Sequence, residues 1–242
     1  MSDVFHPAPP PPPPPPPPVR PSAPGFDFAR PFTFTFEDPR WVQKVLLGGL
    51  FMLASAFIVG IFFLGGYLAR LARNVIAGVP HPLPEWDDLG EYFNEGLRLF
   101  CVSFVYTLPL IGVMMIMIIP SIIAQTAESD VVQNIGGGMA ACVWCLIFPL
   151  SLALALWLPG ALLFAVVERR FGAAFEFAQI FAFIKANIGN YVLAFVVSLV
   201  VRLIVPFGFI LLCVGVFFTG FWSLVVTCYG FAESWRLAPV RK

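Results

Sequence analysis

From Leu99 to Ile123 the chain carries no charged residue, and its apolar run is interrupted only by a few small polar side chains and by Pro109 and Pro120. The hydrocarbon core of a bilayer is about 30 Å thick and takes roughly 20 helical residues to cross, so this run is long enough to span it. Three further apolar runs constrain the chain in the same way. Val45 to Leu68 is rich in glycine, with Gly48, Gly49, Gly60, Gly65 and Gly66. Met139 to Leu158 is opened by Gly136-Gly137-Gly138, broken by Pro149 and predicted to end at Pro159-Gly160. Tyr191 to Ala232 is too long for one crossing, so it predicts a hairpin. Its turn falls at Val205 to Gly208 or at Cys213 to Gly215, and the second leaves two spans of similar length. With 59% apolar and only 12% charged residues, the chain lacks the charged surface of a soluble domain. The expected fold class is therefore an all-α integral membrane protein. It has about four transmembrane helices, a glycine-rich first apolar segment that either spans or returns as a re-entrant hairpin, and two interfacial amphipathic helices.

The densest polar chemistry lies between Gly65 and Phe100. Arg70 and Arg73 are followed by Pro80-His81-Pro82-Leu83-Pro84-Glu85-Trp86-Asp87-Asp88. Prolines fix the backbone there, so Pro82 and Pro84 predict a rigid turn, with Glu85 near a helix start and Trp86 as an anchor at headgroup depth. Were the turn an electrostatic site, Arg70 and Arg73 would be the partners of Glu85. From Trp86 the apolar positions Leu89, Tyr92, Phe93, Leu97 and Phe100 follow one helical face, with Asp87, Asp88, Glu91 and Glu95 as a solvated remainder. The same spacing picks out Phe171, Phe175, Ala178, Phe181, Ile184 and Ile188, although Phe177, Ile180 and Phe183 make the other face apolar too. Each such segment precedes an apolar hairpin, so two related halves at about 86–158 and 171–232 are conceivable.

Fourteen basic residues balance fourteen acidic ones, so net charge does not point to nucleic acid. The placement of the cations is more informative. The loops with Arg70, Arg73 and Arg98, with Arg169, Arg170 and Lys185, and the tail with Arg236, Arg241 and Lys242 belong on the cytoplasmic side. The cation-free stretch Gln125 to Asn134 belongs outside. Arg20, Arg30, Arg40 and Lys44 join the inside set only if Val45 to Leu68 returns, which favours the return. Trp41, Arg40 and Lys44 also suit a headgroup zone. The expected organisation is a disordered proline-rich tail over 1–32, a multi-pass domain over 33–236 and a short cytoplasmic tail over 237–242. Pro9 to Pro18 is a stiff polyproline spacer of about 30 Å. It doubles as a possible ligand for a proline-binding partner protein, and it leaves no apolar core for a cleavable leader.

No cofactor or metal site is expected: His6 and His81 cannot form one, and no zinc, phosphate-loop or nucleophile motif is present. Cys142-Val143-Trp144-Cys145 has the spacing of a thiol redox pair, but its apolar setting lacks a group to lower a thiol pKa. Arg202 is the one ionisable residue deep in an apolar run, and placing it there costs at least about 2.5–3.5 kcal/mol. It is either an anion or headgroup contact, or a side chain that snorkels along its helix or bonds backbone carbonyls freed near Pro109, Pro149 or Pro206.

Phe34-Thr35-Phe36-Glu37-Asp38-Pro39-Arg40-Trp41 with Gly48-Gly49-Leu50 resembles the opening of a prokaryotic multi-pass family known as domain of unknown function 4013. Gly66-Tyr67 with Arg70 and Arg73, and Leu83-Pro84-Glu85-Trp86-Asp87-Asp88 with Gly96-Leu97, are similar to that family as well. Gly172-Ala173-Ala174-Phe175-Glu176-Phe177 with Ile184, Asn187, Asn190 and Tyr191 resembles its second block. The resemblance covers roughly 33–236. It implies a bacterial or archaeal cell (inner) membrane protein and carries over no catalytic residue. Three functions follow as expectations. The first is a non-enzymatic component that organises membrane lipid or partner proteins. The second is a small transporter or channel with a polar site near Arg202, and the third is a thiol redox protein through Cys142 and Cys145. Oligomeric state is not legible.

Overall fold

The computed structural model describes residues 25–125, 130–210 and 214–239, so the proline run and Cys213 lie outside the described residues. Apart from the turns and connections between helices, these residues are helical, with no strand among them. The helices are α1 (Arg30–Thr33), α2 (Trp41–Ala54), α3 (Val59–Ile76), α4 (Leu89–Gln125), α5 (Asp130–Glu168), α6 (Phe177–Ala186), α7 (Ile188–Ile204) and α8 (Gly215–Arg236). Five helical stretches are long and apolar enough to cross a membrane: Val59–Ile76, Leu89–Ile116, Trp144–Glu168, Ile188–Ile210 and Gly215–Arg236. That is the signature of a membrane-embedded chain.

The glycine-rich first segment is two helices. α2 loosens where Ser55 Oγ donates to the Phe51 carbonyl one turn back, at 2.9 Å. A single 3₁₀ turn follows, and Ile58 takes a positive φ of 68°. The chain then reverses into α3, bringing the Phe51 and Phe63 rings to 5.0 Å. This is the returning arrangement, although α3 runs on to Ile76, well past Leu68.

The expected surface helix at 86–100 and the span at 99–123 are one continuous helix, α4. Nothing in Leu97-Arg98-Leu99-Phe100 breaks a helix, and Gly96 is used for packing. α4 has 37 residues, about 55 Å at roughly 1.5 Å per residue, more than one hydrocarbon thickness. Its first turns are the polar end of a long helix, and Glu95 there is buried rather than solvated.

α5 likewise runs through Pro149 and Pro159 instead of stopping at Pro159-Gly160. Proline cannot donate the usual bond to the carbonyl four residues back. One residue on from Pro159, the Tyr191 hydroxyl, from α7, is inserted between a backbone N–H and the carbonyl four residues before it. It accepts from the Gly160 N–H at 3.0 Å and donates to the Leu156 carbonyl at 2.7 Å. A side chain thus completes the helical ladder that proline loosens.

In the second amphipathic segment, a 3₁₀ turn over Phe171–Phe175 leads into α6, and Asn187 separates α6 from α7. The inward face of α6 is Ile180 and Phe183, while Phe177 and Phe181 are exposed, so the opposite face to the one chosen from spacing is buried. Asn187 Nδ2 donates to the Ser234 carbonyl at 2.5 Å, which fixes the bend against α8. Val205-Pro206-Phe207-Gly208 is a 3₁₀ continuation of α7 to Ile210, not the turn. The next helix starts at Gly215.

The core forms where α3, α4, α5, α6, α7 and α8 meet, around Tyr67, Leu71, Tyr92, Phe164, Ile180 and Phe221. α3 and α4 touch backbone to backbone: a Cβ on Gly96 would lie 1.6 Å from the Phe62 carbonyl oxygen, and one on Gly66 would lie 2.0 Å from that of Tyr92. Small residues allow this approach, which apolar burial alone does not drive between helices in lipid.

Candidate functional site at the turn between α3 and α4

α3 ends in a Schellman motif. Gly78, at φ 71°, donates to the Val75 carbonyl, Val79 donates to that of Asn74, and Pro80 prevents continuation. Asn74 Nδ2 then holds the Pro82 carbonyl at 2.9 Å. Pro82, Leu83 and Pro84 are buried. α4 starts with Asp88 as its cap, whose Oδ1 accepts from the Glu91 N–H at 3.0 Å. The rigid turn predicted from Pro82 and Pro84 is therefore fastened at both ends by neighbouring helices.

Lys44, near the start of α2, is only 4% exposed. Its ammonium contacts Asp38 Oδ2 at 2.6 Å and Glu85 Oε1 at 2.8 Å, and donates to the Leu83 carbonyl at 2.9 Å. Arg40 also reaches Glu85, at 2.8 Å. The partners of Glu85 are thus Arg40 and Lys44 instead of Arg70 and Arg73. Burial opposes the Asp38 carboxylate, but hydrogen bonds from Lys44 and the Arg40 N–H, with the Lys44 charge, outweigh it. The Asp38 pKa is held below the ordinary carboxylate range.

Trp86 lies between Phe51 and Tyr67, with ring centroids at 4.7 and 4.2 Å, and its Nε1 donates to the Lys44 carbonyl at 3.1 Å. It packs between helices of its own chain. The Tyr67 hydroxyl beside it is buried without a hydrogen-bond partner. Arg70 contacts Asp87 and the Tyr92 hydroxyl, each at 3.3 Å, and Tyr92 donates to the Glu85 carbonyl. Arg73 pairs with Glu95 at 2.6 Å, and Arg98 donates to the Arg169 carbonyl at 2.8 Å.

Of the residues singled out from sequence, Arg70, Pro82, Pro84, Glu85 and Trp86 converge on this turn, whereas Arg73 pairs with Glu95 further along α4. Arg202 does not. It is exposed on α7 beside exposed Leu199 and Leu203, with no ion pair among the described residues. Cys142 and Cys145 are exposed free thiols about three turns into α5. No three His, Cys, Asp or Glu side chains cluster to hold a metal among the described residues.

Sequence reasoning missed the buried Asp38–Lys44 pair. It also missed a cavity of about 270 Å³ lined by Asp27, Arg30, Pro80, Tyr229, Glu233 and Arg236, among others. The signal for the pair was local: an acid and a lysine six residues apart on either side of a helix start. The cavity joins three distant segments and left no such signal.

The five spanning-length helices and the fastened charged turn define a multi-pass, all-helical protein of the membrane-embedded class. The chain belongs to the family described as protein of unknown function DUF4013, which it matches over residues 49–214. The match is narrower than the 33–236 of the sequence resemblance, leaving out Phe34 to Trp41 and all of α8. No curated protein and no solved structure matches the chain.

Proposed function

We propose that the protein is a non-enzymatic component of a prokaryotic cell (inner) membrane that holds lipid at the charged end of its bundle, with the C-terminus cytoplasmic. One observation carries this reading: cations from separate segments meet around the 77–88 turn. Arg40 and Lys44 reach Glu85 there, Arg70 reaches Asp87, and Arg30 and Arg236 line a cavity with Pro80 and Pro82. Most of these charges hold helices and turn together and so serve architecture. Those still exposed, Arg40 above all, suit the headgroup layer of a cytoplasmic leaflet.

The transporter reading has weaker support, because Arg202 gathers no polar groups around it among the described residues. The test is native mass spectrometry of the detergent-purified protein. Phospholipid is expected to survive detergent exchange, and Arg40→Glu is expected to reduce it. Protein that retains no lipid of any class, at undiminished thermal stability, overturns the reading.

A further inference from the structure

The cavity between the N-terminal segment, the 77–88 turn and the end of α8 contains more polar chemistry than its packing uses. Glu233 is only 6% exposed. Its Oε1 accepts from Arg236, while its Oε2 is buried without a hydrogen-bond partner. A buried carboxylate oxygen left in this state is costly unless a donor reaches it. Arg30 and Arg236, both about two-fifths exposed, line the same cavity. Arg30 is offset by Glu37 at 2.6 Å and lies against Tyr229. The cavity thus presents one buried acceptor and two cations, with the Asp27 carboxylate, held by the Ala29 and Arg30 N–H groups, as a second acid in its wall.

We infer that this cavity binds a zwitterion in which a primary ammonium is joined to a phosphate, the chemistry of an ethanolamine phospholipid headgroup. The ammonium donates to Glu233 Oε2, and the phosphate takes hydrogen bonds from Arg30 and Arg236, whose planar forks suit it. At about 270 Å³ the volume falls just below the usual range for ligand pockets, so it suits a headgroup and excludes acyl chains. A trimethylammonium has no N–H to donate, and a glycerol headgroup has no cation, so both fit worse. The inference rests on the lipid-holding reading and adds headgroup choice to it.

The experiment uses the full-length protein in detergent. Short-chain phosphatidylethanolamine, phosphatidylcholine and phosphatidylglycerol are titrated by native mass spectrometry, with soluble phosphoethanolamine as competitor. The ethanolamine lipid is expected to bind roughly ten- to a hundredfold more tightly than the choline lipid, the factor one hydrogen bond to a charged group supplies. Glu233→Gln is expected to bring the two lipids close to equal. Arg30→Gln, at an exposed position that folding tolerates, is expected to weaken the ethanolamine and glycerol lipids together. Binding of soluble phosphoethanolamine as tightly as the ethanolamine lipid assigns the site to a free zwitterion, and binding far weaker than the lipid's assigns it to the lipid. Equal binding of the three lipids by the parent, or a preference unchanged in Glu233→Gln, overturns the inference while leaving lipid retention intact. Loss of all retained lipid from the parent overturns the underlying reading instead.

Discussion

Lys44 was legible in the sequence as a headgroup cation, because a lysine beside Trp41 at the start of an apolar run ordinarily faces water. Its burial depends on Asp38, Glu85 and the Leu83 carbonyl, and two of those come from about forty residues away. Local pattern cannot supply such partners. Replacing Lys44 by Met strands the Asp38 carboxylate in the interior, which costs about 3–5 kcal/mol. The Asp38→Asn, Lys44→Met double variant is expected to be milder than Lys44→Met alone, read as midpoints of thermal aggregation in detergent. The pair also sets a pH dependence. Because the folded Asp38 pKa is lowered, its contribution is fully present above the unfolded carboxylate value, about 3.9, and is lost as pH falls through the lower folded value. The midpoints of the parent and Asp38→Asn should therefore converge below about pH 4, and a constant gap from pH 7 to pH 3 would count against the assignment. Trp86 shows a second limit: a tryptophan beside a turn reads as an interfacial anchor, yet its ring is held between Phe51 and Tyr67. Trp86→Ala is expected to cost about 3–5 kcal/mol. Glu85→Gln should cost less, because Glu85 is two-fifths exposed and the buried Lys44 keeps Asp38 and the Leu83 carbonyl as partners. A Glu85 variant more damaging than the Trp86 variant reverses that order.

Periodicity and length reveal helices well, and the apolar runs did identify the spanning stretches. They failed where a helix continues through a residue that usually stops one. Pro159-Gly160 reads as a terminus from local rules, whereas in the fold the Tyr191 hydroxyl, distant in sequence, bridges the Gly160 N–H and the Leu156 carbonyl. Tyr191→Phe opens the Gly160 N–H and the Leu156 carbonyl together, at about 1–3 kcal/mol. In a Pro159→Ala background the helix can close its own ladder, so the same change should cost distinctly less. Thermal midpoints of the four proteins in that cycle give the coupling, and additive effects would show that the hydroxyl does not bridge the gap. The long α4 has a related cause. Its polar first turns look like a separate surface helix until Gly96 is seen against the α3 backbone at Phe62. A methyl at that position meets a carbonyl oxygen, which cannot yield as a flexible side chain can. Gly96→Ala is therefore expected to separate α3 from α4 and abolish monodisperse folded protein in size-exclusion chromatography, whereas Gly112→Ala, with open space around it, should elute as the parent does.

At the scale of the molecule, the contacts gather several of the cation-bearing segments at one end of the bundle. The reversal at Ile58 returns α3 beside α2, so that Lys44 at the start of one meets Leu83 beyond the end of the other. The N-terminal segment, the 77–88 turn and the end of α8 then lie around a shared cavity. Arg98 bonds the Arg169 carbonyl, tying the end of α5 to the first turns of α4. Segments joined by such contacts cannot lie on opposite sides of a bilayer. The sequence made the cation asymmetry legible but left the side of the N-terminus open, because a run of apolar residues does not reveal where it folds back. If this end is cytoplasmic, single cysteines placed at Phe28, His81 and Leu237 in a protein lacking its native cysteines should react with a membrane-impermeant maleimide only after permeabilisation. A cysteine at Ser129, in the cation-free stretch, should react in intact cells. A split among the first three positions would contradict the contacts themselves, since it would put the cavity's own walls on two sides of the membrane. Uniform labelling of those three in intact cells, with Ser129 protected, would keep the fold and invert it, which would turn the charged end and its cavity toward the outer leaflet.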